Sequence, residues 1–329
     1  MRSNRRFTIL ATIASAGLLW VTAFATQIEP AVRAQAPTQT APAPQKTQTP
    51  APAVAATGEF AGDDTCGACH EDVAKKLSSS LHGKSAHPRT PAAATNRACE
   101  TCHGPGKEHA ETGDKTKIRV FAAMAPREAS ATCLTCHSRS NHALWEGSPH
   151  DVRNISCTTC HSVHDPKSPT SQLRTATVTQ TCVTCHKQEA AKLQRFGHMP
   201  VREGKLECTS CHNPHGTTNV RLLKTGNWIN ESCASCHAEK RGPFLYEHAA
   251  GRESCVSCHD PHGSNQERML VAKLPMLCQR CHIGTKHPST IYDQTQLDKG
   301  SNRLIGRGCV NCHTQIHGSN SPAGHAFLR

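Results

Sequence analysis

Aromatic residues are nearly missing from this chain. Its 329 residues include 7 Phe, 3 Trp and 2 Tyr, and aromatics make up 4 % of the total. Mean hydropathy is −0.52. A folded region of this size ordinarily needs more apolar mass to close a core, so side-chain packing alone is excluded as the main source of stability. Methionine is scarce too: beyond Met1 there are only Met124, Met199, Met269 and Met276. After residue 25 no apolar run is long enough to span a bilayer. No cysteine stands outside one recurring pattern, and a disulfide framework would not impose one fixed spacing on every pair.

That pattern is Cys-x-x-Cys-His, and it occurs ten times. The cysteine pairs are Cys66 with Cys69, Cys99 with Cys102, Cys133 with Cys136, Cys157 with Cys160, Cys182 with Cys185, Cys208 with Cys211, Cys233 with Cys236, Cys255 with Cys258, Cys278 with Cys281 and Cys309 with Cys312. The histidines that follow them are His70, His103, His137, His161, His186, His212, His237, His259, His282 and His313. The motif reads as covalent attachment of haem c: two thiols add to the haem vinyl groups and the adjacent imidazole binds the iron. Structural zinc sites also use Cys-x-x-Cys pairs, but nothing in zinc chemistry demands a histidine directly after every pair. Ten redox centres are therefore expected. They supply the apolar mass that the side chains lack, and without them no stable fold is expected.

The N-terminus begins with basic residues and continues as an apolar run from Phe7 to Ala25. This reads as a secretory signal over residues 1–34, with small-residue cleavage sites at Ala23-Phe24-Ala25 and Val32-Arg33-Ala34; an uncleaved anchor is the alternative. Residues 35–57, rich in Pro, Ala and Thr, read as a linker. The cytochrome domain is then expected over residues 58–329. The formal charge of +12 resembles that of a nucleic-acid or membrane binder. The haem propionates outweigh the positive charge left on a ferric iron, so Lys and Arg are better read as their partners. No nucleic-acid motif is present.

Thirteen histidines lie outside the motifs, enough to provide each iron with a second ligand. Five follow an even-numbered motif closely: His109, His164, His215, His262 and His317. Five more lie between an odd motif and the next even one: His82, His150, His198, His248 and His287. His87, His142 and His325 are left without a role, and His325 is the substitute for a missing ligand. The arrangement is an internal repeat of motif, spacer, His, motif, His, with five di-haem units starting near 66, 133, 182, 233 and 278. A histidine three residues after a proximal one reaches only ~10 Å along an extended chain. That is too short to pass around its own haem, so such histidines are expected to ligate a neighbouring one. Two imidazoles per iron predict low potentials and leave no open position for substrate. No Cys-x-x-Cys-Lys motif of the kind found in pentahaem nitrite reductases is present. One-electron transfer is the chemistry that remains, so a carrier is expected rather than an enzyme.

The phrases Asp64-Thr-Cys-Gly-Ala-Cys-His-Glu-Asp, Cys99-Glu-Thr-Cys-His-Gly-Pro-Gly, Trp145-Glu-Gly-Ser-Pro-His150 and Cys157-Thr-Thr-Cys-His-Ser-Val-His164, with the Asn-Pro-His-Gly and Asp-Pro-His-Gly copies at 213–216 and 260–263, carry a resemblance over about residues 60–329. The chain resembles the DmsE/MtrA-type decahaem c-type cytochromes. The resemblance implies a periplasmic protein with bis-histidine haems, associated with the outer membrane inside a β-barrel porin. Periplasmic or inner-membrane cytochromes would be its donors, and an extracellular cytochrome or reductase its acceptor. A soluble periplasmic shuttle, a multihaem reductase with one five-coordinate haem and a subunit of a cytochrome filament are the alternatives. The expected fold is a multihaem cytochrome c: mostly irregular, with short α-helices, little or no β-sheet, and a core of stacked haems in an elongated chain. Helices are expected at 71–80 and 187–195, directly after His70 and His186.

Overall fold

Each attachment motif folds as about one turn of helix. The turns lie in Asp63–Cys69, Ala98–His103, Pro126–Leu134, Cys157–Cys160, Val178–Val183, Cys208–Cys211, Ile229–Ala234 and Met276–Gln279, with 3-10 turns at Cys255–Ser257 and Cys309–Asn311. In nine motifs the histidine N–H donates to the carbonyl of the first cysteine at 2.9–3.0 Å. That single bond is what the motif spacing requires. Residues three and four apart share a helix face, so both thiols and the imidazole leave the chain from one side of one turn. The last motif keeps the same geometry although its turn stops at Asn311. Cys312 follows as the closing residue of that turn, and its N–H donates to the Cys309 carbonyl at 3.2 Å.

The structure, a computed structural model, describes residues 58–84, 90, 96–226, 228–283, 308–322 and 324–328. All belong to one unit, Pro52–Arg329. The signal segment, the linker, His87 and His287 lie outside the described residues. Both expected helices are present, as Glu71–Ser79 and Lys187–Leu193. The first has Glu71 and Asp72 in its opening turn and Lys76 in its last, each complementing the helix dipole. The second stops two residues short of the expected end, where the chain tightens so that Gly197 N–H donates to Arg195 at 2.8 Å. Among the described residues there are no strands, only isolated bridges. None of their helices is long and apolar enough to cross a membrane.

The buried apolar side chains among them are Ala129, Trp145, Leu173, Leu193 and Leu223. Large apolar side chains stand open instead, with Leu245 70 % and Ile283 82 % exposed. Polar groups do much of the holding. Buried Glu100 accepts from the backbone N–H groups of Ala61, Gly62 and Gly106 at 2.8, 3.1 and 2.7 Å.

Three of the units share one device after the even motif. The chain loops out and returns so that His161 bridges Leu173, His212 bridges Leu223 and His259 bridges Leu270. The tip of each loop rests on the preceding unit. The Pro-His-Gly glycines decide how closely. A Cβ on Gly216 would fall 2.0 Å from the Leu144 carbonyl oxygen, and one on Gly263 2.4 Å from that of Lys192. Both have φ near +120°, so glycine is required for conformation as well as for space. Around them run inter-unit bonds: Asn213 Nδ2 to the Asn141 carbonyl at 2.9 Å, Lys192 to Asp260 at 2.9 Å, and Tyr246 paired with Ser319 at 2.9 Å in both directions.

Candidate functional site

The thiols lie close enough to perturb one another along the chain. Within a unit this joins the first cysteines of the two motifs: Cys66 with Cys99, Cys133 with Cys157, Cys182 with Cys208, Cys233 with Cys255, and Cys278 with Cys309. Between units it joins the second cysteine of an even motif to both cysteines of the next: Cys102 to Cys133 and Cys136, Cys160 to Cys182 and Cys185, Cys211 to Cys233 and Cys236, and Cys258 to Cys278 and Cys281. Each inner motif thus meets its predecessor on one side and its successor on the other. The thiol pairs are strongly perturbed. Burial, then the Asp63 carboxylate, pushes Cys99 up to about 12. Cys133 and Cys157 perturb each other, the first raised and the second lowered to about 6.

The histidines meet in pairs. Nine pairs have ring centres 5.9–6.3 Å apart: His70 with His109, His82 with His137, His103 with His164, His150 with His186, His161 with His215, His198 with His237, His212 with His262, His248 with His282, and His259 with His317. Two imidazoles bound to opposite sides of one metal at about 2.0 Å carry their ring centres roughly 6 Å apart. The separation therefore fits one iron between each pair. Among the described residues, no three His, Cys, Asp or Glu converge as they would around a bare ion. With two thiols beside every proximal histidine, the donor set fits haem c.

The pairing runs across units. His164, His215, His262 and His317 each face the even-motif histidine of the preceding unit. His82, His150, His198 and His248 each face the odd-motif histidine of the following unit. Adjacent units are therefore clasped twice, in opposite directions. His109 meets His70 within the first unit. His313 belongs to the last motif, beside Cys312, and His287, its expected mate, lies outside the described residues.

Local structure aims these rings. The Nδ1–H of His103 donates to the Arg119 carbonyl at 2.8 Å, that of His161 to Ser171 at 2.6 Å, that of His212 to Arg221 at 2.8 Å and that of His259 to Arg268 at 2.9 Å; His313 donates to Ala326. All five even-motif histidines thus use Nδ1 on a backbone carbonyl and leave Nε2 for a metal, which fixes tautomer and orientation. The carbonyls are turned inward by left-handed backbone: Ser171, Arg221 and Arg268 have φ of 59°, 56° and 57°. Strain of this kind persists where the surroundings hold it and clusters at functional sites. His150 donates likewise to Pro214 at 2.8 Å, and His82 Nδ1 is held by the Gln172 amide, 2.7 Å from its nitrogen and 3.1 Å from its oxygen. Burial lowers the pKa of His161, His164, His198, His262 and His317, and with neighbouring histidines it lowers His215 to about 4. The neutral ring is the form a metal takes.

Reading histidines and cysteines alone misses one group of residues. Three positions before the first cysteine of an odd motif stand Asp63, Ser130, Thr179 and Asn230. Asp63 accepts from the Ala98 and Cys99 amides at 2.8 and 2.9 Å, Ser130 from Cys157 at 3.3 Å and Asn230 from Cys255 at 2.8 Å, while Thr179 bonds the Cys208 thiol. Each ties the first motif of its unit to the second. The signal was present, since these are four residue types that cap helix N-termini, at one fixed offset. The last unit has Pro275 at that offset.

Comparison with known proteins gives the same reading. The family described as "Doubled CXXCH motif" matches residues 198–242 and 248–287, and the family "Cytochrome c-type protein NrfB-like" matches residues 99–185. The chain is 40 % identical over 277 residues to "Multiheme cytochrome MtrA" of Shewanella baltica, covering 82 % of this chain and 81 % of that one. It is 31 % identical over 133 residues to "Cytochrome c-type protein NrfB" of Escherichia coli, covering 39 % and 66 %. An undecahaem cytochrome from the S-layer of Carboxydothermus ferrireducens aligns with 22 % identity and a TM-score of 0.26, covering 40 % of this chain and 33 % of that one. Repeated Cys-x-x-Cys-His turns, histidines paired across them and the 40 % identity to MtrA converge: the chain is a multihaem c-type cytochrome with covalently bound haem and an electron-transfer function, and it belongs to the MtrA family.

Proposed function

We propose that the chain carries ten haems, each with two histidine ligands, in single file in chain order, and that it is a periplasmic electron conduit crossing the outer membrane inside a β-barrel porin. The observation that carries this reading is the cross-unit pairing of the histidines. Even-motif histidines meet a histidine of the following unit and odd-motif histidines one of the preceding unit, with ring centres 5.9–6.3 Å apart, so successive units are joined in chain order. When bound, haem supplies one-electron chemistry. The residues do the rest. Spare histidines fill the second axial position, carbonyls at even motifs fix the ring planes, and the cross-unit pairs hold successive motifs in register.

A file of ten haems is longer than a hydrocarbon core of ~30 Å. The chain's own polar surface is unsuited to lipid, so a barrel is the insulator this reading requires. Donors would be periplasmic or inner-membrane cytochromes, and acceptors an extracellular cytochrome or reductase. Purification from native membranes tests the proposal. A barrel protein is expected to co-purify, and liposomes carrying both proteins should reduce a trapped dye from outside. Recovery of the chain alone in the soluble periplasmic fraction, with no such transfer, would contradict the conduit and favour a shuttle.

A further inference from the structure

One of the loop tips that supply a distal histidine carries charge where its counterparts do not. Two residues before His164, His215, His262 and His317 stand Ser162, Asn213, Asp260 and Gln315, so Asp260 alone brings a carboxylate there. Its Oδ1 lies 3.7 Å from the Nδ1 of His262, the ring that faces His212. Glu189, on the helix Lys187–Leu193 of the third unit, has Oε2 4.0 Å from the same nitrogen. That oxygen is buried and accepts no hydrogen bond. Lys192 Nζ reaches it as an ion pair at 3.3 Å and lies 2.9 Å from Asp260. Two carboxylates thus stand against one ammonium beside His262, and each acts on the ring more strongly than Lys192 does.

The matching ligand one unit earlier lacks these carboxylates. His215 faces His161, and Asn213 takes the place of Asp260. Asn213 and Asp260 each accept from the backbone N–H of their own distal histidine at 3.1 Å, so the two loops are built alike. The rings beside His215 are those of His142 and Trp145, with centres 4.3 and 6.2 Å away. His237 also has a carboxylate near its Nδ1, that of Glu239 at 3.8 Å, but those side chains are 57 % and 60 % exposed and solvent screens them. At His262 the corresponding values are 38 % for the ring, 35 % for Glu189 and 23 % for Asp260.

We propose that Glu189 and Asp260, acting through His262, hold the haem attached at Cys208 and Cys211 at a lower potential than the haem attached at Cys157 and Cys160. Separations of 3.7 and 4.0 Å are longer than hydrogen bonds, so the action is one of charge. An anion beside a ligand imidazole raises its basicity and favours ferric iron. Reduction adds one electron to that iron, supplied by an adjacent haem, and no proton moves. The added electron costs more beside two carboxylates than beside Asn213, so the sixth haem fills after the fourth. The inference rests on the bis-histidine reading above.

The test is a reductive titration of the haem-loaded protein, followed by haem absorbance and by ferric electron paramagnetic resonance. A wild-type protein short of ten haems by intact mass, or containing high-spin iron, would contradict the underlying reading and is recognised before any variant is made. Against an all-low-spin wild type, the variant is Glu189→Gln/Asp260→Asn, which restores at the loop tip the Asn-Pro-His-Gly phrase the chain already uses at 213–216. One haem in ten is expected to move to higher potential, with mass and spin state unchanged. The expected size is about tenfold in its ferrous-to-ferric ratio at fixed potential, or ~59 mV for one electron. The resonance that moves should come from ligands with near-parallel planes, since those of His212 and His262 lie 19° apart. Movement of a near-perpendicular signal would place the charge on the haem of His186, whose plane lies at 86° to that of His150, and would overturn the proposal. A titration superimposable on wild type, or a shift to lower potential, would overturn it too. If the double variant does not mature, Glu189→Gln alone leaves the loop untouched and is expected to shift one haem in the same direction, and the absence of that shift overturns the proposal.

Discussion

Glu100 lies between the two cysteines of the second motif, 3 % exposed, with three backbone N–H groups pointing at its carboxylate. Replacing it by alanine leaves buried donors without an acceptor, at about 1–3 kcal/mol for each one stranded. Glu100→Ala is expected to expose the amides of Gly62 and Gly106 to rapid hydrogen exchange, and unchanged protection there would contradict this role. Asp63 adds a pH dependence. Burial pushes its pKa up, but the amides of Cys99 and Ala98 more than offset this and hold it below the usual carboxylate range. Its folded pKa is thus below the unfolded one, so its contribution is fully present above the ordinary value of about 3.9 and is lost as pH falls through the folded value. Protection of the Ala98 and Cys99 amides should fall in that acid window, and Asp63→Ala should remove the dependence at a cost of about 1 kcal/mol. These residues show what a sequence carries and what it hides. The motif histidines and the spare histidines announce themselves by type and spacing, and Asp63, Ser130, Thr179 and Asn230 do so more quietly as caps at one offset. The carbonyls of Ser171, Arg221 and Arg268 do not, because any residue has a carbonyl and only the left-handed backbone turns these toward a ring.

At the level of elements, the loop after each even motif sets the junctions. Gly216 and Gly263 press on carbonyls of the unit before, with φ of +120° and +123°. Alanine at either position adds a Cβ that collides with backbone, so the junction must open. Gly263→Ala is expected to separate His262 from His212, now 6.0 Å apart. The sign would be a high-spin haem or a failure to retain the haem at Cys208 and Cys211, read by spectroscopy and intact mass. A variant with unchanged mass and spin state would show that this contact does not set the distance. Asn-Pro-His-Gly and Asp-Pro-His-Gly were visible as repeated phrases from the outset. Their purpose was not visible, because the surface each glycine meets lies in the preceding unit, at Leu144 for Gly216 and Lys192 for Gly263. The helix at Lys187–Leu193 was legible from its composition, whereas its end depends on the turn at Gly197, which a coarse helix reading did not resolve.

For the molecule as a whole, ten like motifs were enough to indicate a multihaem c-type cytochrome. They were not enough to say which histidine serves which iron, since that depends on how units fold onto each other. The structure pairs the rings with an offset of one unit in each direction, and the ring planes then fall into two groups. Six pairs lie within 21° of parallel, and three, at His137, His186 and His237, lie at 65°, 86° and 77°. The angle between axial ring planes governs the magnetic anisotropy of low-spin ferric iron, so the array should show two classes of signal. The most direct measurement is therefore ferric electron paramagnetic resonance on the purified holoprotein, quantified against the haem count from intact mass. The account predicts ten haems, no high-spin iron, a majority class from near-parallel ligands and a minority class of larger anisotropy from near-perpendicular ones. Fewer than ten haems, or a high-spin signal amounting to one haem or more per chain, would contradict it.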